Sequence, residues 1–202
     1  MNIRPYHPRD LPSLYRICVA TGAAGSDASH LYRDSLLVGH VFAAPYAILA
    51  PQCCFVAEDG DGVGGYIVGA VDTEAFENHL ETEWWPALRR IYPPPPAHPP
   101  EWTHDLTMMR LIHRPLRTPE RIASAYPSHL HINLLQRLQG RGVGRQLIDR
   151  WLSRMRELGS RGAHLAVGIA NPRAIGFYRK YGFSELERTG RDASIVWFGM
   201  NL

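Results

Sequence analysis

Residues 139–144 read Gln-Gly-Arg-Gly-Val-Gly, and the hydrophobic pattern changes period across them. Leu130 to Leu135 has the length and composition of a strand. Beyond the glycines, Val143, Leu147, Ile148, Trp151, Leu152, Met155 and Leu158 recur at helical spacing, and Gly159 ends the run. A strand, a glycine-rich turn and a helix form an anion-binding arrangement. The first amides of the helix have no intrahelical acceptor, and the helix dipole favours negative charge there. Glycine at 140, 142 and 144 lets a diphosphate approach the main chain, and Arg141 and Arg145 can add charge-assisted hydrogen bonds. Two familiar turns are excluded. Arg145 occupies the place of the third glycine in G-x-G-x-x-G, and no Gly-Lys-Ser/Thr follows the turn.

The remaining chain alternates strands and helices. Asn2 to Tyr6 reads as a strand, and Asp10 as the N-cap of a helix bearing Leu11, Leu14, Tyr15 and Cys18, with Pro12 in its first turn. A second helix is expected from about Ser29 to Phe42, then a loop bounded by Pro45 and Pro51. Cys53–Glu58 and Gly64–Val71 read as strands joined by the turn Asp59-Gly60-Asp61-Gly62. Thr73 to Tyr92 has helical spacing and ends at a proline run, residues 93–100, expected as a loop insertion in a single domain spanning 1–202. Residues 101–127 give no clear pattern. Ala163–Ile169 reads as a strand, and Asn171-Pro172 as the start of a helix ending near Gly182. Phe183–Leu186 and Ser194–Met200 read as closing strands. The order implies an α/β (α+β) fold, a mixed sheet with helices on both faces.

Charge narrows the functional classes. The formal net charge of +3 is too even for a nucleic-acid binder. Between Arg137 and Arg161, however, seven arginines face two acids, a pattern that fits either a solvated helix face or a site for a phosphorylated ligand. No apolar run approaches the roughly 20 residues of a membrane span; Val41 to Ala50 is interrupted by Pro45. The N-terminus lacks the apolar core of a secretory signal, and three cysteines, two adjacent, do not make a disulfide framework. The expected location is cytoplasmic. His129 and His131 lack a further ligand at metal-binding spacing, so no metal is expected.

Two segments together resemble a known family. Residues 139–144 are similar to the Q-x-x-G-x-G signature of the GCN5-related N-acetyltransferase (GNAT) superfamily. Residues 171–183, Asn-Pro-Arg-Ala-Ile-Gly-Phe-Tyr-Arg-Lys-Tyr-Gly-Phe, are similar to its downstream N-x-x-A-x-x-F-Y-x-K-x-G-F element. Residues 126–133, the glycine turn and Gly162-Ala163-His164-Leu165 further resemble the acetyltransferase-like C-terminal domain of O-GlcNAcases and its free-standing bacterial relatives, as does the Asp72–Pro93 segment with Trp84-Trp85-Pro86.

That resemblance implies a sheet splayed between the strands at Leu130–Leu135 and Ala163–Ile169, with acetyl-coenzyme A in the gap. It implies a pantetheine arm on the backbone of Ile132, Asn133 and Leu134, and a diphosphate on residues Gln139, Gly140, Arg141, Gly142, Val143, Gly144 and Arg145. Asn171, Ala174, Phe177, Tyr178 and Lys180 complete the implied cofactor site. Tyr178 matches the position that protonates the departing thiolate. His129, His131 and Asn133 alternate and therefore share one face, where His131 is a candidate base. Asn133 stands where the animal relatives tend to carry aspartate. Asp105, with His104 and Trp102, is a candidate for shaping the acceptor pocket. The implied activity is transfer of acetyl to an amine on a small molecule or peptide, by a monomer or homodimer. A module that binds acetyl-coenzyme A without efficient turnover is the alternative.

Overall fold

A computed structural model describes all residues, 1–202. Seven strands form one sheet: β1 (Asn2–Pro5), β2 (Phe55–Asp59), β3 (Gly62–Ala70), β4 (Ser128–Leu134), β5 (Gly162–Gly168), β6 (Ser184–Thr189) and β7 (Ile195–Asn201). Their order is β1-β2-β3-β4-β5-β7-β6. Every neighbouring pair is antiparallel except β4 and β5. The mixed sheet read from the sequence is therefore present, with the strands from 128 onward longer or shifted by a few residues.

The register of β4 positions the site. Against β3 it pairs from Leu134 opposite Gly65 to His129 opposite Ala70. Against β5 only Ser128–Ala163 and His129–His164 pair, and the strands then part. Side chains alternate, so Leu130, Ile132 and Leu134 lie on one face of the sheet and His129, His131 and Asn133 on the other.

The leucine face of β4 carries α8 (Val143–Glu157) and α9 (Pro172–Tyr181). Trp151 of α8 is fully buried, and its indole donates to the Cys53 carbonyl at 3.1 Å. A Cβ on Gly69 would meet the Trp151 ring at 2.7 Å, so the glycine is what lets α8 seat. The other face carries α1 (Leu11–Val19), α2 (Leu37–Phe42), α3 (Ala44–Leu49), α4 (Thr73–His79), α5 (Trp85–Ile91), α6 (His104–His113) and α7 (Glu120–Ala125).

Several sequence expectations are corrected. The helix expected over 29–42 is a single 3-10 turn, Ser29–Leu31, followed by α2. The loop expected between Pro45 and Pro51 contains α3, because Pro45 falls in the first turn, where its missing N–H costs nothing. Asp10 does not cap α1: its carboxylate instead bridges both Arg4 guanidinium nitrogens, at 2.7 and 2.9 Å, and the His7 amide. The helix expected over 73–92 is α4 and α5 joined by a π-turn at Leu80–Trp84, which precedes Pro86. The unpatterned 101–127 segment supplies α6 and α7. No helix is long and apolar enough to cross a membrane.

Candidate active site

Where β4 leaves β5, part of its backbone loses its partner. The Leu135 amide donates to the Gly64 carbonyl at 2.8 Å, so odd-numbered residues of β4 direct their polar groups at β3 and even-numbered ones at β5. Beyond the last β4–β5 pair, Ile132 therefore presents both its N–H and its C=O to the gap, and Leu134 its N–H. The Leu134 carbonyl is taken by the Gln139 side chain at 2.7 Å. An extended ligand with alternating amides can pair with this edge as a strand would.

The glycine turn lies at the open end of that gap. Gly140 and Gly142 have φ of +71° and +77°, a left-handed backbone that glycine adopts without strain. Gly142 is the N-cap of α8 and supplies no capping side chain. The first intrahelical bond runs from Gln146 N to Gly142 O, and the amides of residues 140–145 donate to no backbone acceptor. No acidic residue occupies the first turn. Residues 140–142 and Arg145 are exposed. Nothing lies within 4 Å of a Cβ built on Gly140, whereas one on Gly144 would meet Phe177 at 3.3 Å and Leu134 at 3.4 Å. The third glycine thus packs α8 against α9 and β4, and the first two keep the turn bare. Arg141 is held only by a long bond to the Arg137 carbonyl; Arg145 leans over the Tyr181 ring. Arg145 also lies 3.9 Å from Asp149 one turn on. Unpartnered amides beside two exposed guanidinium groups fit a diphosphate.

Asn171 caps α9, its side chain accepting from the Ala174 amide at 3.0 Å. Ala174 and Phe177 are half-buried on the face toward the turn, and Lys180 is exposed in the last turn. Arg173 reaches back to Gln139 Oε1 and ties α9 to the glycine turn. The Tyr178 ring packs among Phe177, Phe183 and Phe198. Its hydroxyl makes no hydrogen bond within the protein. The sealed side-chain polar atoms without a partner are Tyr66 Oη and Glu187 Oε1, so the Tyr178 oxygen keeps an opening. Burial holds its pKa above the ordinary tyrosine value, and the phenol keeps its proton.

The opposite face of the parting strands holds a connected polar chain. The Thr73 hydroxyl donates to the Pro127 carbonyl at 2.7 Å, so it accepts from His129 Nδ1 at 2.8 Å. With its proton on Nδ1, His129 accepts at Nε2 from the Tyr46 hydroxyl at 2.9 Å. Tyr46 Oη in turn accepts from His131 Nε2 at 3.1 Å. Each group has one hydrogen to give, so the carbonyl at one end fixes the tautomer at the other. His131 keeps its proton on Nε2 and presents a bare Nδ1 lone pair. Burial, then the neighbouring His164, lowers the His131 pKa to about 4; burial lowers His129 and His164 too. His131, His129, His164 and Trp197 line a cavity of about 200 Å³ between the sheet and α2–α6, at the point where β4 and β5 separate.

The other sequence candidates lie elsewhere. Asn133 donates to Thr21 Oγ1 at 2.5 Å and anchors the end of α1. Asp105 accepts from the Arg33 and Asp34 amides at 3.1 and 2.9 Å, clamping the segment before α2. His104 stacks edge-on against Tyr32, and Trp102 lies under Arg110. None of these four lines the cavity. Sequence reasoning missed Tyr46, Thr73, His164 and Trp197. Tyr46 sits in a short apolar helix and reads as core; only its buried hydroxyl signals a polar role. No group of three or more His, Cys, Asp or Glu side chains is placed to hold a metal ion.

Comparison with known proteins agrees with this geometry. Residues 122–202, which carry both motifs, match the acetyltransferase (GNAT) domain family. The chain is 27% identical to the protein O-GlcNAcase of Rattus norvegicus over 201 residues, 99% of this chain but 22% of that protein's length. The solved structure of SsHAT superposes with a TM-score of 0.87 at 38% identity, covering 99% of this chain and 97% of that one. The structure of yncA from Salmonella typhimurium, solved with its cofactor acetyl-CoA, shares the fold at a TM-score of 0.59 and 13% identity, over 99% of this chain and 92% of that one. An edge strand opened beside an uncapped helix, in a chain alike over its whole length to such proteins, has one reading: this protein belongs to the GNAT acetyltransferase superfamily.

Proposed function

We propose that this protein is an acetyl-coenzyme A-dependent N-acetyltransferase. The observation that carries the reading is the unpaired edge of β4 at Ile132 and Leu134 ending at the bare amides of residues 140–145. Acetyl-coenzyme A, when bound, supplies an acyl carbon held as a thioester. The chain's own residues then divide the work. Amides 140–145, with Arg141 and Arg145, hold the diphosphate; Ile132 and Leu134 hold the extended arm; Asn171, Ala174, Phe177 and Lys180 line its course along α9. Tyr178, on the α9 face, holds a proton for the departing sulfur. His131, on the opposite face, accepts the proton released by the attacking amine at Nδ1. No covalent bond to the protein is required, so positioning supplies much of the acceleration.

A binding module without turnover predicts the same cofactor affinity. Two measurements separate the readings. Calorimetric titration with acetyl-coenzyme A is expected to give saturable binding, and a flat trace overturns both. Thiol release with a panel of primary amines is expected to exceed the amine-free rate, and binding with no release across the panel favours the module. The oriented His131 lone pair, which a mere binder has no use for, favours the enzyme.

A further inference from the structure

The cavity where β4 and β5 part is the enclosed space beside His131 Nδ1. Its lining is dominated by apolar side chains, with Phe42, Leu80, Trp85, Leu111 and Trp197 on different sides. Glu77 is the single carboxylate in that lining. It is already engaged: Oε1 accepts from the Thr118 amide at 2.9 Å, and Oε2 meets Arg117, itself a lining residue, at 3.4 Å. No uncompensated negative charge therefore awaits a second cation. The three imidazoles of the wall are held toward their neutral forms by burial. The same low polarity penalises every ammonium that enters. A monoamine must shed one proton, which the reaction requires anyway; a polyamine, aminoglycoside or lysine-rich tail must desolvate further charges with nothing to pair them.

We propose that the acceptor is a primary monoamine on an aromatic or branched aliphatic body with no second charge, the amine at His131 and the body against Trp197 and Trp85. This rests on the acetyltransferase reading for its chemistry, but the recognition it describes is testable without the cofactor.

2-Phenylethylamine and spermidine serve as probes. Phenylethylamine titrated into the protein, with and without coenzyme A, is expected to give a saturable change in tryptophan fluorescence that is reduced in Trp197→Phe, with Trp85 reporting the remainder. Spermidine is expected to give none. In thiol-release assays, kcat/KM for phenylethylamine is expected to exceed that for spermidine at least tenfold. Ala166→Asp, at an exposed position of the lining, is expected to narrow that ratio by admitting a second cation. A fluorescence response to spermidine rather than phenylethylamine, or to neither, overturns the proposal, even if acetyl-coenzyme A binds. Phenylethylamine binding without acetyl-coenzyme A binding leaves the amine proposal standing and overturns the acetyltransferase reading.

Discussion

His131 binds Tyr46 Oη through Nε2 at 3.1 Å and leaves Nδ1 without a partner in the protein. The pair reads as the outer end of the chain rooted at the Pro127 carbonyl. His131→Ala is expected to lower kcat/KM by about 10²–10⁴-fold, the range for loss of a positioned base, with acetyl-coenzyme A affinity unchanged. Tyr46→Phe removes the acceptor for His131 Nε2–H and frees the ring to turn or change tautomer. A smaller loss is expected, with the acid limb of the pH profile displaced. Nitrogen-15 NMR of labelled histidine checks the tautomers directly. Nδ1–H is expected on His129 and Nε2–H on His131, and the reverse would remove the base.

The pH profile follows from the same burial. His131 titrates at about 4, below the ordinary histidine value near 6.5. It is therefore neutral and able to accept a proton throughout the physiological range, and kcat/KM is expected to show no acid limb from this group until pH approaches 4. Stability follows a different window. The unfolded chain binds protons to its histidines as pH falls through about 6.5, while the folded chain holds His129, His131 and His164 neutral to lower pH. Stability contributed by these groups is thus full above about 6.5 and declines between 6.5 and 4. Melting temperature against pH is expected to fall across that window, and less steeply in His131→Gln.

The parts of this design that were legible in the sequence are local in the chain. Gly140 and Gly142 announce a left-handed turn because few other residues tolerate that backbone. Asn171-Pro172 announces a helix start because one residue caps and the next needs no amide acceptor. The histidine chain was half visible: strand alternation puts His129 and His131 on one face. Its polarity was hidden, because Tyr46, Thr73 and Pro127 arrive from three segments that only the folded sheet brings together. Asp105 misled for the opposite reason. A carboxylate among aromatics looks like part of an acceptor pocket until both oxygens are found on the amides of Arg33 and Asp34, some seventy residues away. Residues 101–127 stayed unread because α6 presents only a narrow apolar stripe, with Met108 and Ile112 buried.

Tyr178 separates proton donation from packing. Tyr178→Phe keeps the ring contacts with Phe183 and Phe198 and removes only the hydroxyl. Melting temperature and KM for acetyl-coenzyme A are expected to stay within error while kcat falls at least tenfold. Equal loss of stability and activity would assign the residue to the core instead.

Asp105 is expected to act through structure. Asp105→Ala leaves the Arg33 and Asp34 amides without their acceptors, and hydrogen bonds to a charged group contribute about 1.5–3 kcal/mol each. A clear drop in melting temperature is expected. Per folded molecule, as counted by active-site titration, kcat should stay near that of the parent protein. A loss of kcat without a loss of stability would place the carboxylate in the chemistry.

The glycine turn offers a test that leaves the cavity untouched. Gly142 holds φ at +77°, and a Cβ there would meet only the Gln146 amide at 3.9 Å, so Gly142→Ala introduces backbone strain with little steric clash. Such strain costs about 1–2 kcal/mol and is relieved by rotating the turn. Rotation would re-aim the amides of residues 140–145 that lack acceptors. Melting temperature is expected to fall by a few degrees, and the dissociation constant for acetyl-coenzyme A to rise at least tenfold. Affinity for the amine probe, read by tryptophan fluorescence without cofactor, should be unchanged. Added salt is expected to weaken cofactor binding in the parent protein, since exposed Arg141 and Arg145 contribute by screened charge. An Arg141→Gln, Arg145→Gln double variant should flatten that dependence. If Gly142→Ala leaves cofactor affinity intact, the diphosphate is not held by these amides.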